Sequence, residues 1–382
     1  YPSLYRVLAP IYYKPGFLIP YCAEIKKSVN VPVIGVGRIS TVSLADKVIS
    51  ENKADFVAIG RGQIADPDIV NKSKNGKIKD IRSCIYCNFC SMGRLLAGMR
   101  LRCAVNAEAG REAEYAITKA RDSKKVVIVG GGPGGMEAAR VCALRGHQVI
   151  LMEKKDKLGG QLLQASAPKF KEPVQNLINY LARQVEKAGA DIQMGCKATG
   201  ETILSLSPDV VVIATGATPI MPAISGVGKA LSAHDVLDGT VTDLKEKVVV
   251  CGGGSVGCET ALFLNDRGKD VTLLEMMDEL AVDHDFYSRT VLLEEIGNST
   301  IKVMTGSKMI DITETSVTVE NQSGAKERIQ ADTVVFATGS RPDTALAEEL
   351  ADKVMLHVIG DCRKAGRVHN AIHDAAHVAR EI

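Results

Sequence analysis

The sequence has no tryptophan, its aromatic residues amount to only 4%, and its charge is almost balanced. With 47 basic against 45 acidic side chains dispersed along 382 residues, the formal net charge is +2, which leaves no basic stripe for nucleic acid or an anionic lipid surface. No apolar run approaches the roughly 20 residues that a membrane-spanning helix needs. The opening YPSLYRVLAPIYYKPG lacks the basic-then-apolar order of a secretory signal. Outside one cluster there is no C-x-x-C pair, so a dithiol–disulfide shuttle has no residues to run on. These absences predict a cytoplasmic protein that works on small ligands, without a membrane span or nucleic acid.

Glycine, by contrast, is abundant at 35 residues, as expected where tight βα turns bring backbone close to phosphates. The length exceeds what one hydrophobic core usually organises, so two to four domains are expected. Six of the ten cysteines (Cys22, Cys142, Cys196, Cys251, Cys258, Cys362) are scattered, several inside apolar runs where a thiol behaves as a small hydrophobe. The other four are clustered, which fits a metal site in a reducing compartment better than a disulfide framework.

The first 60 residues read as βαβα: helices over about 17–29 and 41–51, and apolar strands VPVIGVG at 31–37 and ADFVAIG at 54–60. Each strand is a near-continuous apolar run, the pattern of parallel strands buried on both faces, and each ends in Gly-Arg, at Gly37-Arg38 and Gly60-Arg61. Periodicity fades over 81–110, and a polar helix is expected at about 111–122 as a linker. From Val126 the pattern is strand, glycine turn, helix, strand, and it returns 122 residues later: VVIVGGGPGGMEAARVCALRGHQVILMEK, then VVVCGGGSVGCETALFLNDRGKDVTLLEM. Each copy is followed by an apolar strand running into Ala-Thr-Gly, so the duplication covers whole domains.

In the first copy Gly130, Gly132 and Gly135 form G-x-G-x-x-G between a strand and a helix, and Glu153 ends the next strand. Such glycines let backbone N–H groups and a helix N-terminus meet a pyrophosphate, while the acid accepts ribose hydroxyls. Gly252, Gly254, Gly257 and Glu275 repeat the arrangement. A carboxylate at Glu275 repels a 2′-phosphate, so this copy is expected to prefer NADH to NADPH. Only the first copy is succeeded by Leu-Gly-Gly-Gln (158–161), and the chain closes with Val-Ile-Gly-Asp (358–361) before a helix. A second glycine-acid pair after a strand brings a carboxylate to the ribityl chain of a flavin, which resembles the closing motif of two-dinucleotide-domain flavoproteins. That resemblance implies FAD on the first copy and the C-terminus, with Gly160, Gln161, Thr215, Gly216, Gly360 and Asp361 added to the binding set, and NAD(H) on the inserted second copy.

Cys84, Cys87, Cys90 and Cys103 have the spacing C-x2-C-x2-C-x12-C. Three thiolates within seven residues wrap one face of a cubane while a fourth arrives from beyond a turn, pointing to a [4Fe–4S] cluster. Tetrahedral zinc is the competing reading, although zinc sites usually come as two C-x2-C knuckles. His369, His373 and His377 stand four apart on the last helix but lack an H-E-x-x-H constellation, so they are not taken as ligands. Asp283-His284-Asp285 reads as a solvated loop rather than an acid–base group.

The string CIYCNFCSMGRLL…RCAVNAEAGRE, preceded by VPVIGVGRIS and ADFVAIGRGQIADPD, resembles the iron–sulfur flavoenzymes that include 2,4-dienoyl-CoA reductase, 2-enoate reductase and trimethylamine dehydrogenase. The resemblance runs essentially the whole length. It implies an α/β chain of four parts: the last βα units of an FMN-binding (β/α)8 barrel at 1–80, a [4Fe–4S] segment and linker at 81–122, a Rossmann-like FAD domain at 123–228 and 331–382, and a Rossmann-like NAD(H) domain inserted at 229–330. A full barrel needs about 200–250 residues, whereas about 80 precede the cluster, so most of it is missing and the chain, starting at Tyr1, is expected to be a fragment. The FMN phosphate role falls on Gly37, Arg38, Gly60 and Arg61. No residue matches the family's proton donors, so no catalytic acid is assigned on this chain.

By the same resemblance the whole enzyme would reduce the C=C bond of an α,β-unsaturated carboxylate, carbonyl or acyl-CoA, with electrons passing from NADH through FAD, cluster and FMN to the substrate. An amine dehydrogenase running in the opposite direction is the alternative within enzymes. An electron-transfer subunit with a separate catalytic partner is the alternative outside them. A homo-oligomer is compatible with the resemblance, although the residues carry no interface signature.

Overall fold

The structure, a computed structural model, describes residues 4–91 and 98–382. Tyr1 and the Met-Gly-Arg-Leu-Leu stretch of the cysteine motif at 92–96 lie outside the described residues. Two units share the chain: one comprises Tyr1–Leu162, Glu172–Gly216 and Asp343–Ile382, the other Leu163–Lys171 and Ala217–Pro342.

The first unit opens with α1 (Ile19–Ser28), β1 (Ile34–Gly35), α2 (Val42–Ser50), β2 (Phe56–Val57), α3 (Arg61–Ala65) and α4 (Ile69–Lys74). Thr41 Oγ1 accepts the Leu44 N–H and caps α2, where the β-branched run of the preceding strand gives way to a helical period. β1 and β2 are parallel, with Ile34 opposite Phe56, over a core of Ile19, Cys22, Ile39, Val48 and Ala54. The βαβα order therefore stands, and within this chain Val31, Ile34, Val36 and Phe56 are exposed. Each strand has a single neighbour and ladders over two residues, so it buries only the face its helices cover.

The dinucleotide-type sheet of this unit is built from β3 (Lys125–Val129), α5 (Pro133–Arg145), β4 (Gln148–Met152), α6 (Glu172–Ala188), β5 (Asp191–Gln193) and β6 (Val210–Ile213). The chain then enters the second unit with β7 (Ala217–Pro219), β8 (Leu231–Ser232), β9 (Lys247–Cys251), α7 (Ser255–Asn265), β10 (Asp270–Leu274), α8 (Phe286–Gly297), β11 (Lys302–Met304), β12 (Ser307–Ile312), β13 (Ser316–Asn321), β14 (Lys326–Gln330), β15 (Thr333–Phe336) and β16 (Ser340–Pro342). It returns to the first with β17 (Met355–Val358) and α9 (Val368–Glu381). The two parallel sheets have the orders β17-β6-β3-β4-β5 and β8-β15-β9-β10-β11, so the sequence repeat is a repeat of whole sheets. An antiparallel β12-β13-β14 sheet and a β7-β16 ribbon, with Ser340 opposite Pro219, complete the second unit.

Valines and isoleucines of β3 and β6, fully buried, form the centre of the first sheet. α9 lies close on α5 because Gly134 has no side chain: a Cβ there would come within 3.3 Å of the Ala371 carbonyl oxygen. α5 also buries an ion pair, Arg140 Nε and Nη2 donating to the Glu137 carboxylate at 2.9 and 2.7 Å. Burial alone would push the Glu137 carboxyl up, but Arg140 outweighs it and holds it below the usual range.

No helix forms over 111–122, which corrects the helical form expected of that segment. Tyr115 N–H closes a single turn on the Arg111 carbonyl at 2.8 Å, and the Arg111 guanidinium sits 3.5 Å over the Tyr115 ring. The Tyr115 carbonyl, which a helix would keep for its own ladder, accepts Arg380 Nε at 3.0 Å and Nη2 at 2.6 Å. A long-range guanidinium thus outcompetes local helix propensity, and the chain runs extended until Ala120 N–H meets the Arg145 carbonyl at 2.8 Å. Among the described residues no helix is long and apolar enough to cross a membrane.

Asp80 ties the opening βα pairs to α6. Its Oδ1 accepts Arg183 Nε at 2.7 Å and Gln184 Nε2 at 3.2 Å, and its Oδ2 accepts Lys187 Nζ at 2.7 Å. Lys187 first, then Arg183, hold the carboxyl down at about 2. A depressed carboxylate stabilises the fold above its unfolded value near 3.9, and that contribution is lost as pH falls toward the folded value. Its partners are about half exposed, so screening reduces the gain to about 1–2 kcal/mol. Urea melts of Asp80→Asn are expected to show that loss at pH 7 and about half of it at pH 3. An equal deficit at both pH values would contradict the ionised assignment.

Candidate functional site

The C-terminal ends of β3, β6 and β17 lie side by side, because Ala214 N–H donates to the Val129 carbonyl at 2.8 Å and Ile359 N–H to the Ile213 carbonyl at 3.0 Å. Gly130 leaves β3 at φ +109, and a Cβ on it would stand 2.3 Å from the Ala214 carbonyl oxygen. Gly132 caps α5 with open space before it, its nearest neighbour being Gly160 Cα at 3.9 Å from a Cβ built there. A Cβ on Gly135 would lie 1.8 Å from the Gly130 oxygen, so helix and strand approach as only glycine permits. Glu153 is buried and clamps the turn: its Oε2 accepts the Gly131 N–H at 2.6 Å and its Oε1 the Lys155 N–H at 2.8 Å. A carboxylate has about four lone-pair directions, so acceptors remain for ribose hydroxyls.

Around this cradle stand the other expected residues. Gly160, at φ +54, lies against Gly132, and Gln161 Nε2 is 3.9 Å from where a Cβ on Gly216 would be. Thr215 Oγ1 donates to the Asp343 carbonyl at 3.0 Å. Gly360 N–H donates to Asp374 Oδ2 at 3.3 Å, and Asp361 Oδ1 accepts the Gly366 N–H at 3.0 Å at the start of α9. Burial pushes the Asp361 carboxyl up.

The second unit repeats the geometry of the glycine turn and its acid. Gly252 has φ +109 with a Cβ position 2.5 Å from the Ala337 oxygen, and a Cβ on Gly257 would lie 1.7 Å from the Gly252 oxygen. The buried Glu275 accepts the Gly253 N–H at 2.5 Å and the Met277 N–H at 2.8 Å. The Asp283-His284-Asp285 loop turns out to cap two helices: Asp285 Oδ1 accepts the Ser288 N–H of α8 at 3.1 Å, and Asp283 Oδ1 the Ser255 N–H that opens α7 at 2.8 Å. Gly254 precedes that serine at the helix start.

Between the βα pairs and the first sheet runs the cysteine segment, held by side chains bonded to backbone. Asn88 Nδ2 donates to the Leu8 carbonyl at 2.7 Å, Asn106 Nδ2 to the Ile64 carbonyl at 3.1 Å, and Arg82 N–H to Asp66 Oδ2 at 2.7 Å. Tyr86 and Asn88 adopt φ of 53 and 55, the left-handed backbone that bends the chain back between cysteines. Cys84, Cys90 and Cys103 are buried and Cys87 half-buried. Burial pushes all four thiols up, Cys84 to about 12, and Cys84, Cys87 and Cys103 each lie in the field of others of the set. Among the described residues no three His, Cys, Asp or Glu side chains converge as a metal-holding group. The donor set itself fits a thiolate-bound cluster, with the Tyr86 N–H already aimed at Cys84 Sγ at 3.4 Å.

Two features here had no counterpart in the sequence reading. The Tyr86 ring has two guanidinium groups against it, that of Arg38 3.9 Å from its centre and that of Arg61 at 5.0 Å. Arg38 sits at φ 53, is buried, and donates from Nη1 to the Ile11 carbonyl at 2.7 Å, while Arg61 Nη1 donates to Asn88 Oδ1 at 2.5 Å. Gly37 turns at φ +126 against Leu18, and Gly60 precedes α3 with open space around it. Arg38 Nε is a buried nitrogen with no partner among the described residues, a donor that suits a phosphate beside Gly37 and Gly60. On the other side, His369 stacks on Phe89 at 4.2 Å and His373 Nε2 lies 2.8 Å from the Cys103 carbonyl, so these histidines dock the cysteine segment rather than bind metal.

With this geometry in place, likeness to known proteins is decisive. Residues 124–357 match the family described as pyridine nucleotide-disulphide oxidoreductase. The chain belongs to that family. Residues 12–80 match the NADH:flavin oxidoreductase / NADH oxidase family. The chain is 43% identical to a NADH oxidase of Thermoanaerobacter brockii, over 100% of its own length and 60% of the relative's. It is 38% identical to a cinnamate reductase of Clostridium sporogenes, covering 100% of this chain and 58% of that protein. A solved structure of 2-naphthoyl-CoA reductase with 2-naphthoyl-CoA superposes with a TM-score of 0.93 at 32% identity, covering 98% of this chain and 57% of the other. These likenesses bear out the 2,4-dienoyl-CoA reductase-like family and its fold, a barrel portion followed by pyridine-nucleotide domains. The chain spans less than two thirds of the length of the curated relatives it matches.

Proposed function

We propose that this chain is the electron-delivering portion of an NADH-dependent flavin oxidoreductase that reduces an activated C=C bond in an unsaturated carboxylate, carbonyl or acyl-CoA. The observation that carries the reading is the pair of acid-clamped glycine turns, identical in their backbone bonds yet followed by different loops. The first turn, with Gln161, Thr215, Gly216 and Asp361, holds FAD; the second, with Glu275, holds NADH; Arg38 and Arg61 hold the FMN phosphate. Cys84, Cys87, Cys90 and Cys103 hold a [4Fe–4S] cluster. When bound, these groups supply hydride transfer and one-electron transfer between two flavins. The residues of the chain orient and insulate. Glu153 and Glu275 would each hold a ribose, Asp361 would hold the ribityl chain of the flavin, and Tyr86, with Arg38 and Arg61 against its ring, joins the phosphate seat to the cysteine segment. Names of the relatives, a NADH oxidase and a cinnamate reductase, support an NADH-driven reduction of a conjugated double bond.

Anaerobic mixing of the purified protein with NADH tests this, with flavin absorbance followed alongside iron and acid-labile sulfide. Rapid bleaching with about four irons per chain is the expected result. Bound FAD and iron without bleaching would overturn the NADH assignment.

A further inference from the structure

One of the differences between the two nucleotide turns and their loops is a charge. In the second unit the loop after Glu275 brings Asp283 back to the N-terminus of α7, where Oδ1 accepts the Ser255 N–H at 2.8 Å and Oδ2 accepts the Ser255 hydroxyl. A Cβ on Gly254 would stand 3.6 Å from Asp283 Oδ1, so the carboxylate faces the very space that this glycine leaves open. The corresponding loop of the first unit carries a neutral side chain on a different backbone path, with Gly159 at φ +134 and Gly160 at φ +54 where Ala281 stands at φ 50. Leu158 and Leu280 each reach within 2.4 Å of where a Cβ on Gly131 and Gly253 would stand. Gly159 N–H donates to the Gly131 carbonyl at 2.8 Å, as Ala281 N–H does to the Gly253 carbonyl at 2.7 Å. Counting on from these pairs, Gln161 and Asp283 are equivalent, 122 residues apart. α5 moreover opens with Pro133, which has no N–H to cap, whereas α7 opens with a serine whose N–H and hydroxyl are both taken.

Free N–H groups and the helix dipole draw an anion to this point, and a dinucleotide pyrophosphate and a side-chain carboxylate compete for it. We propose that Asp283 is an internal anion seated where the pyrophosphate docks on the second unit, so that nucleotide binds by displacing it and Asp283 sets the affinity. Ala281 holds the loop at φ 50, a conformation that non-glycine residues rarely adopt, so the return of Asp283 to the helix is built in at a conformational cost. The proposal rests on the reading that the second unit takes NADH. An acidic cap at a helix start is worth roughly a factor of five in an equilibrium, and apparent affinity falls by the fraction of molecules in which it is seated.

Calorimetric titration of the full chain and its variants with NADH, ADP-ribose and adenosine distinguishes the outcomes. Asp283→Ala is expected to bind NADH and ADP-ribose about 5–10-fold more tightly, with adenosine, which lacks the pyrophosphate, unchanged. Asp283→Asn keeps a neutral cap and should gain about 2–3-fold, which also guards against misreading a variant that fails to fold. Wild-type binding that is unchanged or weakened in both variants would sink the displacement while leaving the NADH site intact. Absence of NADH and ADP-ribose binding in wild type and variants alike would remove the underlying NADH reading, and the proposal with it.

Discussion

Replacing Gly130 with alanine is expected to empty the first unit of FAD, and replacing Gly252 with alanine to stop reduction by NADH while FAD stays bound. Both glycines sit at φ +109, a region that L-residues enter only at a cost of roughly 1–2 kcal/mol. The added Cβ would also stand 2.3 Å from the Ala214 oxygen in one case and 2.5 Å from the Ala337 oxygen in the other. Those atoms are main chain in the neighbouring strand and cannot swing aside. The clash at Gly131 and Gly253 is nominally as close, but it meets mainly leucine tips, which can rotate. Strain and overpacking together come to about 3–5 kcal/mol at the turn that must face a pyrophosphate, equivalent to about a 150- to 4000-fold loss of affinity. Flavin content of purified Gly130→Ala and the rate of anaerobic bleaching in Gly252→Ala are the readouts. The mirrored design separates the two sites: full bleaching by NADH in Gly252→Ala would contradict assignment of the second turn to the nicotinamide nucleotide.

What the sequence made legible is what depends on short stretches of chain. A glycine turn between strand and helix, with an acid at the end of the next strand, is specified within about 25 residues, and both copies fold as the register required. Contacts made across long separations were not legible. Arg38 was read as a side chain presented at a strand end, yet its guanidinium is drawn under Tyr86, 48 residues on. The 111–122 segment has the polarity of a solvent-facing helix, but Arg380 takes the Tyr115 carbonyl from 265 residues away. Asp283 lies between these cases. Its equivalence to Gln161 is present in the repeat offset, but the loops look unrelated as Leu-Gly-Gly-Gln and Leu-Ala-Val-Asp until their backbone bonds to Gly131 and Gly253 align them.

Replacing Cys84 or Cys103 with alanine is expected to abolish iron binding and to open residues 81–110 to proteolysis. That segment has no sheet ladder among its described residues; its order comes from Asn88, Asn106, Arg82 and Tyr86 bonding to backbone and side chains of the flanking parts. Four thiols, three of them buried and Cys87 half-buried, supply no strong hydrogen bonds of their own, and burial opposes their ionisation, so without a cation they are inert packing. A thiolate-bound metal centre reverses this, since its binding free energy becomes folding free energy, on the order of 10 kcal/mol for structural sites. Loss of one ligand should therefore cost far more than loss of one buried thiol. Cys142 and Cys258 provide the control, because each is fully buried on a Rossmann helix and pushed up to about 12 by its surroundings, yet neither belongs to the spaced set. Their alanine variants should keep about four irons per chain and lose only the few kcal/mol of a small core truncation. Metal analysis of the wild type separates iron from the zinc alternative. Iron retained in Cys84→Ala and in Cys103→Ala would move the cluster off these residues, whereas iron lost equally from Cys142→Ala would mean that the metal responds to general unfolding rather than to its ligands.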